Sequence, residues 1–171
     1  MRKVVALLVF GLLAACQLPL DPEGTTDRVQ GAELVVGLLT ARLGETDRAA
    51  VAAVAQEFDA SPRLMNAAPD VLMAELESGS VHLLIGDVPS NTALATHAAA
   101  TRDFGSVRIG EDSHKRIALV RTGENGFLKR VNIALGTPAI RTRAATAGQQ
   151  TLDRTDRQDA AQPAGGAADA R

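Results

Sequence analysis

One cysteine and a few clustered polar residues carry most of the chemistry available to this 171-residue chain. Cys16 is the only cysteine, so it has no partner for an intramolecular disulfide. Leu13, Ala14 and Ala15 precede it, and the two small alanines let a chain enter a peptidase in extended form. Upstream, Arg2 and Lys3 form a short basic region, followed by about ten uncharged apolar residues, Val4 to Leu13. That stretch is too short for a bilayer core, which takes about 20 residues as a helix, and it fits a cleavable secretory signal. The expectation is a signal over residues 1–15, cleavage before Cys16, and a diacylglycerol on its thiol. A free thiol in an oxidising compartment is a liability, and lipidation removes it.

A second group is Asp87, Ser90, Asn91 and Thr92, which follow an apolar strand-like run ending at Ile85. Loops at the carboxyl ends of strands in an α/β sheet are where ligands usually bind, so these four are the candidate ligand contacts. Turn residues with a helix cap give the same pattern. His82, His97 and His114 match no compact metal-ligand spacing, and no second cysteine joins them. Ser, His and Asp are all present, but no Gly-x-Ser-x-Gly elbow is. The glycines of Gly123-Glu-Asn-Gly126 fit a helix cap before Phe127 better than a phosphate loop. No catalytic residue, metal or cofactor is expected.

The elements that would position these residues are legible from periodicity. Glu33-Leu-Val-Val-Gly37 reads as a buried strand, and Thr46 to Asp59 as a helix with Val51, Val54, Ala55 and Phe58 on one face and Thr46 or Asp47 as its cap. Ser61-Pro62 breaks the chain before a short strand near Leu64 or Met65. Pro69 to Ser78 reads as a helix stopped by Gly79, with Leu72, Met73 and Leu76 inward. Val81 to Ile85 is the clearest strand, with His82 toward its polar face. An alanine-rich helix is expected over Thr92 to Thr101, an exposed strand at Val107 to Ile109, and a strand over Ile117 to Val120. An amphipathic helix over Glu124 to Leu135 places Phe127, Leu128, Val131 and Leu135 on one face. Alternating strands and helices imply an α/β fold, a small, mostly parallel sheet with helices on both faces.

Residues 16–31, with the turn chemistry of Asp21-Pro-Glu-Gly24, read as a lipidated tether. Residues 32–136 form the one domain. From 137 to 171 the apolar period fades into Ala, Gln, Thr, Arg, Asp, Gly and Pro, which reads as a disordered low-complexity tail; Arg141-Thr-Arg143 and Arg154 to Arg157 then belong to solvated chain. Loss of Arg2 and Lys3 lowers Lys plus Arg from 18 to 16 against 20 acids, a net charge near −4. With no Trp or Tyr and only four Phe, the chain lacks the cationic grooves and stacking aromatics of nucleic-acid binders.

The order of these elements resembles one lobe of the family 3 extracellular solute-binding proteins, the polar amino-acid receptors of ABC importers. Glu33 to Gly37 resembles the family's opening strand. Val71 to Gly79 followed by Val81 to Gly86 is similar to its helix, glycine and apolar strand. Arg116 to Val120 with Gly123 to Leu128 resembles the strand and helix by which its chain returns to the first lobe. The likeness spans about residues 20 to 136. It implies a periplasmic protein of the transport apparatus that binds a small polar solute. Two departures stand out. The passage that would build a second lobe is missing between about Gly105 and Lys115. The arginine that clamps a ligand carboxylate falls at or near Leu94, which cannot supply a guanidinium. Gln17, where inner-membrane lipoproteins carry Asp, implies the outer membrane. The sequence thus points to a lipid-anchored, non-enzymatic, solute-binding-like lobe with weak or lost ligand binding, or to an accessory envelope lipoprotein that binds a protein partner.

Overall fold

The computed structural model describes residues 21–146. The signal, Cys16 and the chain beyond 146 lie outside them. Helix α1 (Thr25–Val29) leads into strand β1 (Glu33–Leu38), helix α2 (Glu45–Glu57), strand β2 (Ser61–Asn66), helix α3 (Pro69–Ser78) and strand β3 (Leu83–Ile85). A 3-10 turn (Ala93–Thr96) and strand β4 (Ala99–Ala100) follow, then β5 (Ser106–Ile109), β6 (Asp112–Lys115), β7 (Leu119–Val120) and helix α4 (Asn125–Leu135). A last helix covers 138–146.

Five strands form the main sheet in the order β2-β1-β3-β7-β4. β1 pairs in parallel with β2 and β3, while β7 is antiparallel to both β3 and β4. Four of the five strands therefore run one way, and the sheet is mostly parallel. Its central strands are apolar on both faces, as a sheet covered on both sides requires. The period of two sorts them. Leu34, Val36, Leu38, Leu83, Ile85 and Val120 pack under α2 and α4 with Val54, Phe58, Phe127 and Val131. Val35, Leu84, Ile117 and Leu119 face the other way, against Leu72, Met73 and Leu76 of α3. The Phe58 and Phe127 rings, 4.9 Å apart, join α2 to α4, with the Arg130 guanidinium 4.1 Å above Phe58.

The helix over Pro69–Ser78 ends at Gly79, in the left-handed conformation at φ 80°, as its sequence predicts. Four expectations need correction. The segment over 92–101 is not an α-helix. Its alanines form the 3-10 turn and then β4, which gives β7 an edge partner at Ala99–Val120 and Ala100–Leu119; tertiary pairing overrides alanine's helix propensity. Neither Thr46 nor Asp47 caps α2, since the helix begins at Glu45 after Gly44. The stretch from 21 to 31 is not a free tether. Thr25 and Val29 are buried, and the Glu124 carboxylate accepts the Glu23 N–H (3.0 Å) and Thr25 N–H (2.9 Å). Residues 138–146 are helical rather than disordered, because Ile140 and Ala144 are both buried in the domain. The remainder of the expected tail lies outside the described residues.

Where the resemblance places a missing lobe, the chain makes a two-stranded antiparallel hairpin, β5 against β6 in register from Ser106–Lys115 to Ile109–Asp112. Gly110, at φ 62°, and Glu111 make its turn.

Candidate functional site

The carboxyl ends of β1 and β3 lie side by side, and the loops that follow them touch. The Leu39 N–H donates to the Ile85 carbonyl at 2.9 Å. Gly86 then turns the chain at φ 120°, and a Cβ there would stand 2.6 Å from Thr40 Oγ1 and 3.1 Å from the Thr40 backbone nitrogen. Glycine is required on both counts. Asp87 follows at φ 49°, a left-handed conformation that Asp tolerates better than most residues. Beyond it, residues 88–90 run antiparallel to 115–117, through Ser90 N–H to Lys115 O (2.8 Å) and Ile117 N–H to Val88 O (3.0 Å).

That pairing brings Arg116 beside Asp87. Arg116 Nη1 lies 2.7 Å from Asp47 Oδ2 and 2.8 Å from Asp87 Oδ1, and its Nε donates to the Ser106 carbonyl at 3.2 Å. The Asp47 side chain is 1% exposed, Arg116 11% and Asp87 52%. Asp47 stands in the first turn of α2, where the helix dipole favours an anion. Its second oxygen, Oδ1, is buried with no hydrogen-bond partner among the described residues. Burial pushes the Asp47 carboxyl above its ordinary value, although Arg116 pulls it down. Two carboxylates around one guanidinium leave the cluster with a formal charge of −1.

Asp87 thus belongs to an ionic cluster, whereas the other three predicted contacts do local work. Ser90 joins the ladder through its backbone, and Thr92 caps the 3-10 turn, its Oγ1 accepting the Leu94 N–H at 3.4 Å. Asn91 is exposed. The structure brings Asp87 to Arg116 and Asp47, and does not gather all four residues around one cleft. Leu94, at the place of the clamp arginine, is half-buried against the apolar layer of α3.

The three histidines are dispersed. His97 is exposed, and His114 sits on β6 opposite Val107. His82 is half-buried, and its Nδ1 accepts the Val35 N–H at 3.0 Å. Burial holds its pKa below the ordinary histidine value, with Arg28 acting in the same direction. Among the described residues, no three His, Cys, Asp or Glu side chains gather as a metal-holding group.

Sequence reasoning missed Asp47 and Arg116. Asp47 reads as a helix cap and Arg116 as the first residue of a strand, and 69 positions separate them. Nothing local in the sequence pairs them.

No family model matches the chain, and no curated protein does. Solved structures do. The arginine-bound form of domain 1 of TmArgBP superposes with a TM-score of 0.52 at 15% identity, over 60% of this chain and 90% of that one. A Salmonella typhimurium periplasmic binding protein described for its high arginine specificity gives 0.52 at 10% identity, over 65% and 96%. The fold is that of one lobe of a periplasmic amino-acid-binding protein. An ancestral amino-acid-binding protein described as a precursor of cyclohexadienyl dehydratase shares it, with a TM-score of 0.51 at 10% identity, over 61% of this chain and 88% of that one. A shared fold does not fix function, so the function of this chain must be argued from its site.

In this binding-protein-like fold, the polar groups at the carboxyl ends of β1 and β3 are paired with one another. Arg116 can give a bidentate grip to a free carboxylate, but Asp47 and Asp87 already take its Nη1 and the Ser106 carbonyl takes its Nε. An incoming carboxylate would have to displace Asp87 and approach a cluster of net negative charge.

Proposed function

We propose that this chain is a lipid-anchored periplasmic protein, held through Cys16 on the outer membrane, that keeps the scaffold of a solute-binding lobe while its capture of amino acids is weak or lost. Its setting would be the ABC import apparatus from which the scaffold is familiar, and no reaction is assigned to it. The observation that supports this reading is the ion cluster at the carboxyl ends of β1 and β3, in which Asp47 and Asp87 engage the Arg116 guanidinium while Leu94 stands at the place of the clamp arginine.

Thermal denaturation with a panel of amino acids and organic acids tests it. A working receptor at a hundredfold excess of ligand over its dissociation constant gains about 2.7 kcal/mol. The expected result is no saturable shift with any member of the panel, and a saturable shift with one of them overturns the reading. The anchor is tested separately. Intact mass of the protein extracted from membranes should show acyl chains on a mature chain beginning at Cys16, and Cys16→Ala should abolish them.

A second reading, an accessory envelope lipoprotein that docks a protein partner, draws support from Ile109. It is 49% exposed on the hairpin that stands in place of a second lobe. Ile109→Lys should then lower recovery of a cross-linked partner from cells without changing the melting temperature.

A further inference from the structure

On the face of α4 away from the sheet lies a shallow groove of about 570 Å³, bounded by the loop before β5 and by the helix over 138–146. Arg102, Lys129 and Arg141 line it, over the apolar carbons of Leu128 and Ile133. No acidic residue is among its lining, and none of the three cations has an ion-pair partner among the described residues. Ile133 is the most exposed large apolar side chain described, at 55%. The walls are fixed, since the Arg102 N–H donates to Asn132 Oδ1 at 2.7 Å and buried Ile140 holds the outer helix down. Three unpaired cations around an apolar floor, on a chain of net negative charge, suit an amphiphile with an anionic head.

The position of the groove names the amphiphile. Asp21 Oδ1 accepts the Gly126 and Phe127 N–H groups at 2.7 and 3.0 Å, which pins the start of the described chain to the N-terminus of α4. Cys16 is five residues earlier, a span of at most about 17 Å. The 11 residues of α4 extend about 16 Å from that point. An acyl group on Cys16 would therefore keep the groove within reach of the bilayer surface. We propose that the groove seats the phosphate headgroup of an anionic phospholipid in the leaflet that anchors the protein, with Ile133 and Leu128 against the acyl boundary. This rests on the lipid-anchor reading. Cations near an anionic leaflet strengthen a lipid anchor and orient the domain on the surface.

The chain has no Trp and no Tyr, so Ile133→Trp provides a fluorophore without background. The lipidated variant would be reconstituted into phosphatidylcholine vesicles with or without phosphatidylglycerol, both made with brominated phosphatidylcholine as quencher. The expected result is a blue shift and quenching that require phosphatidylglycerol and weaken with salt. Adding Arg102→Gln, Lys129→Gln and Arg141→Gln should weaken the contact on the order of a hundredfold, about fivefold per charge. Leu64→Trp, on edge strand β2, should stay unquenched. Equal quenching in both vesicle types, quenching that survives the three substitutions, or a loss of quenching with inorganic phosphate greater than with chloride at equal ionic strength overturns the proposal. If intact mass shows Cys16 without lipid, the anchor reading fails by itself. The same reporter added to the vesicles from solution then decides the groove, with the same outcomes.

Discussion

Arg116→Met offers the sharpest test of the ion cluster, because it keeps an unbranched apolar stem out to about the place of Nε and removes the guanidinium with its charge and donors. The Asp47 carboxylate left behind is 1% exposed and already has one oxygen without a partner. Its other oxygen would keep only the Asp87 N–H, at 3.4 Å. Removing one partner of a buried pair costs about 3–5 kcal/mol. The α2 dipole returns about 0.3–1 kcal/mol, so a loss of about 3 kcal/mol is expected. That is a large share of the roughly 5–15 kcal/mol that holds a domain together. Asp87→Asn should cost no more than about 1 kcal/mol, because Asp87 is half exposed and solvent screens its pairing. The double variant Asp47→Leu/Arg116→Met should return close to the parent, since no buried charge remains.

Urea denaturation followed by far-ultraviolet circular dichroism suits a chain without Trp or Tyr. An acid series adds a second reading. Burial raises the Asp47 carboxyl above its ordinary 3.8, and loss of Arg116, which lowers it, raises it further. Folded Arg116→Met therefore holds its proton more tightly than the unfolded chain does. The penalty is present in full above the folded pKa, falls as pH drops through it, and is relieved below 3.8. A loss under about 1 kcal/mol at neutral pH, or a double variant no more stable than Arg116→Met, would refute the view of Asp47 as a buried charge held by Arg116.

Other consequences can be measured on the same protein. His82 Nδ1 must stay unprotonated to accept the Val35 N–H, and its pKa is lowered in the fold. The stability it supports is complete above the ordinary 6.5 and is lost as pH falls through the folded value. His82→Asn, whose Oδ1 can take the same N–H, should flatten that part of the pH–stability curve, and an unchanged curve would count against it. In Gly37→Ala a Cβ would lie 2.5 Å from Leu84 Cδ2 and 3.0 Å from Leu72 Cδ2. Overpacking should cost about 1–3 kcal/mol by urea denaturation. Glu124→Leu strands the Glu23 and Thr25 N–H groups. It should cost about 2 kcal/mol and speed proteolytic cleavage between residues 21 and 31, with parental cleavage rates as the contrary result.

The elements legible in the sequence are those with a complete local signal. Helix α3 has proline at its start, three inward residues at helical spacing and a glycine stop, and it forms over the predicted residues. The errors fall where distant contacts decide. Ala99 and Ala100 become a strand because β7 lacks another edge partner, and the Thr101 hydroxyl completes the pairing by accepting the Ala118 N–H at 2.9 Å. The five residues of α1 are too few to show a period, and Glu124, about a hundred positions away, accepts the Thr25 N–H at its start. The helix over 138–146 does carry a signal, Pro138 followed by Ile140 and Ala144 four residues apart. The charged and small residues around it obscure that short pattern.

The candidate site was legible only as a place. Periodicity puts Gly86 and Asp87 at the carboxyl end of a buried strand, but cannot say what Asp87 meets. The answer depends on the hairpin between Gly105 and Lys115. Its base is closed by the Arg116 N–H on the Gly105 carbonyl at 2.8 Å and by Arg116 Nε on the Ser106 carbonyl. The same guanidinium reaches Asp47 and Asp87 from the other side. Closure of the hairpin and occupation of the ligand edge are thus one arrangement. A guanidinium placed this close to a 1% exposed carboxylate pairs with it, because leaving Asp47 unpaired costs more than pairing it. Freeing the Arg116 guanidinium would therefore require a new neighbour for Asp47 as well as removal of Asp87.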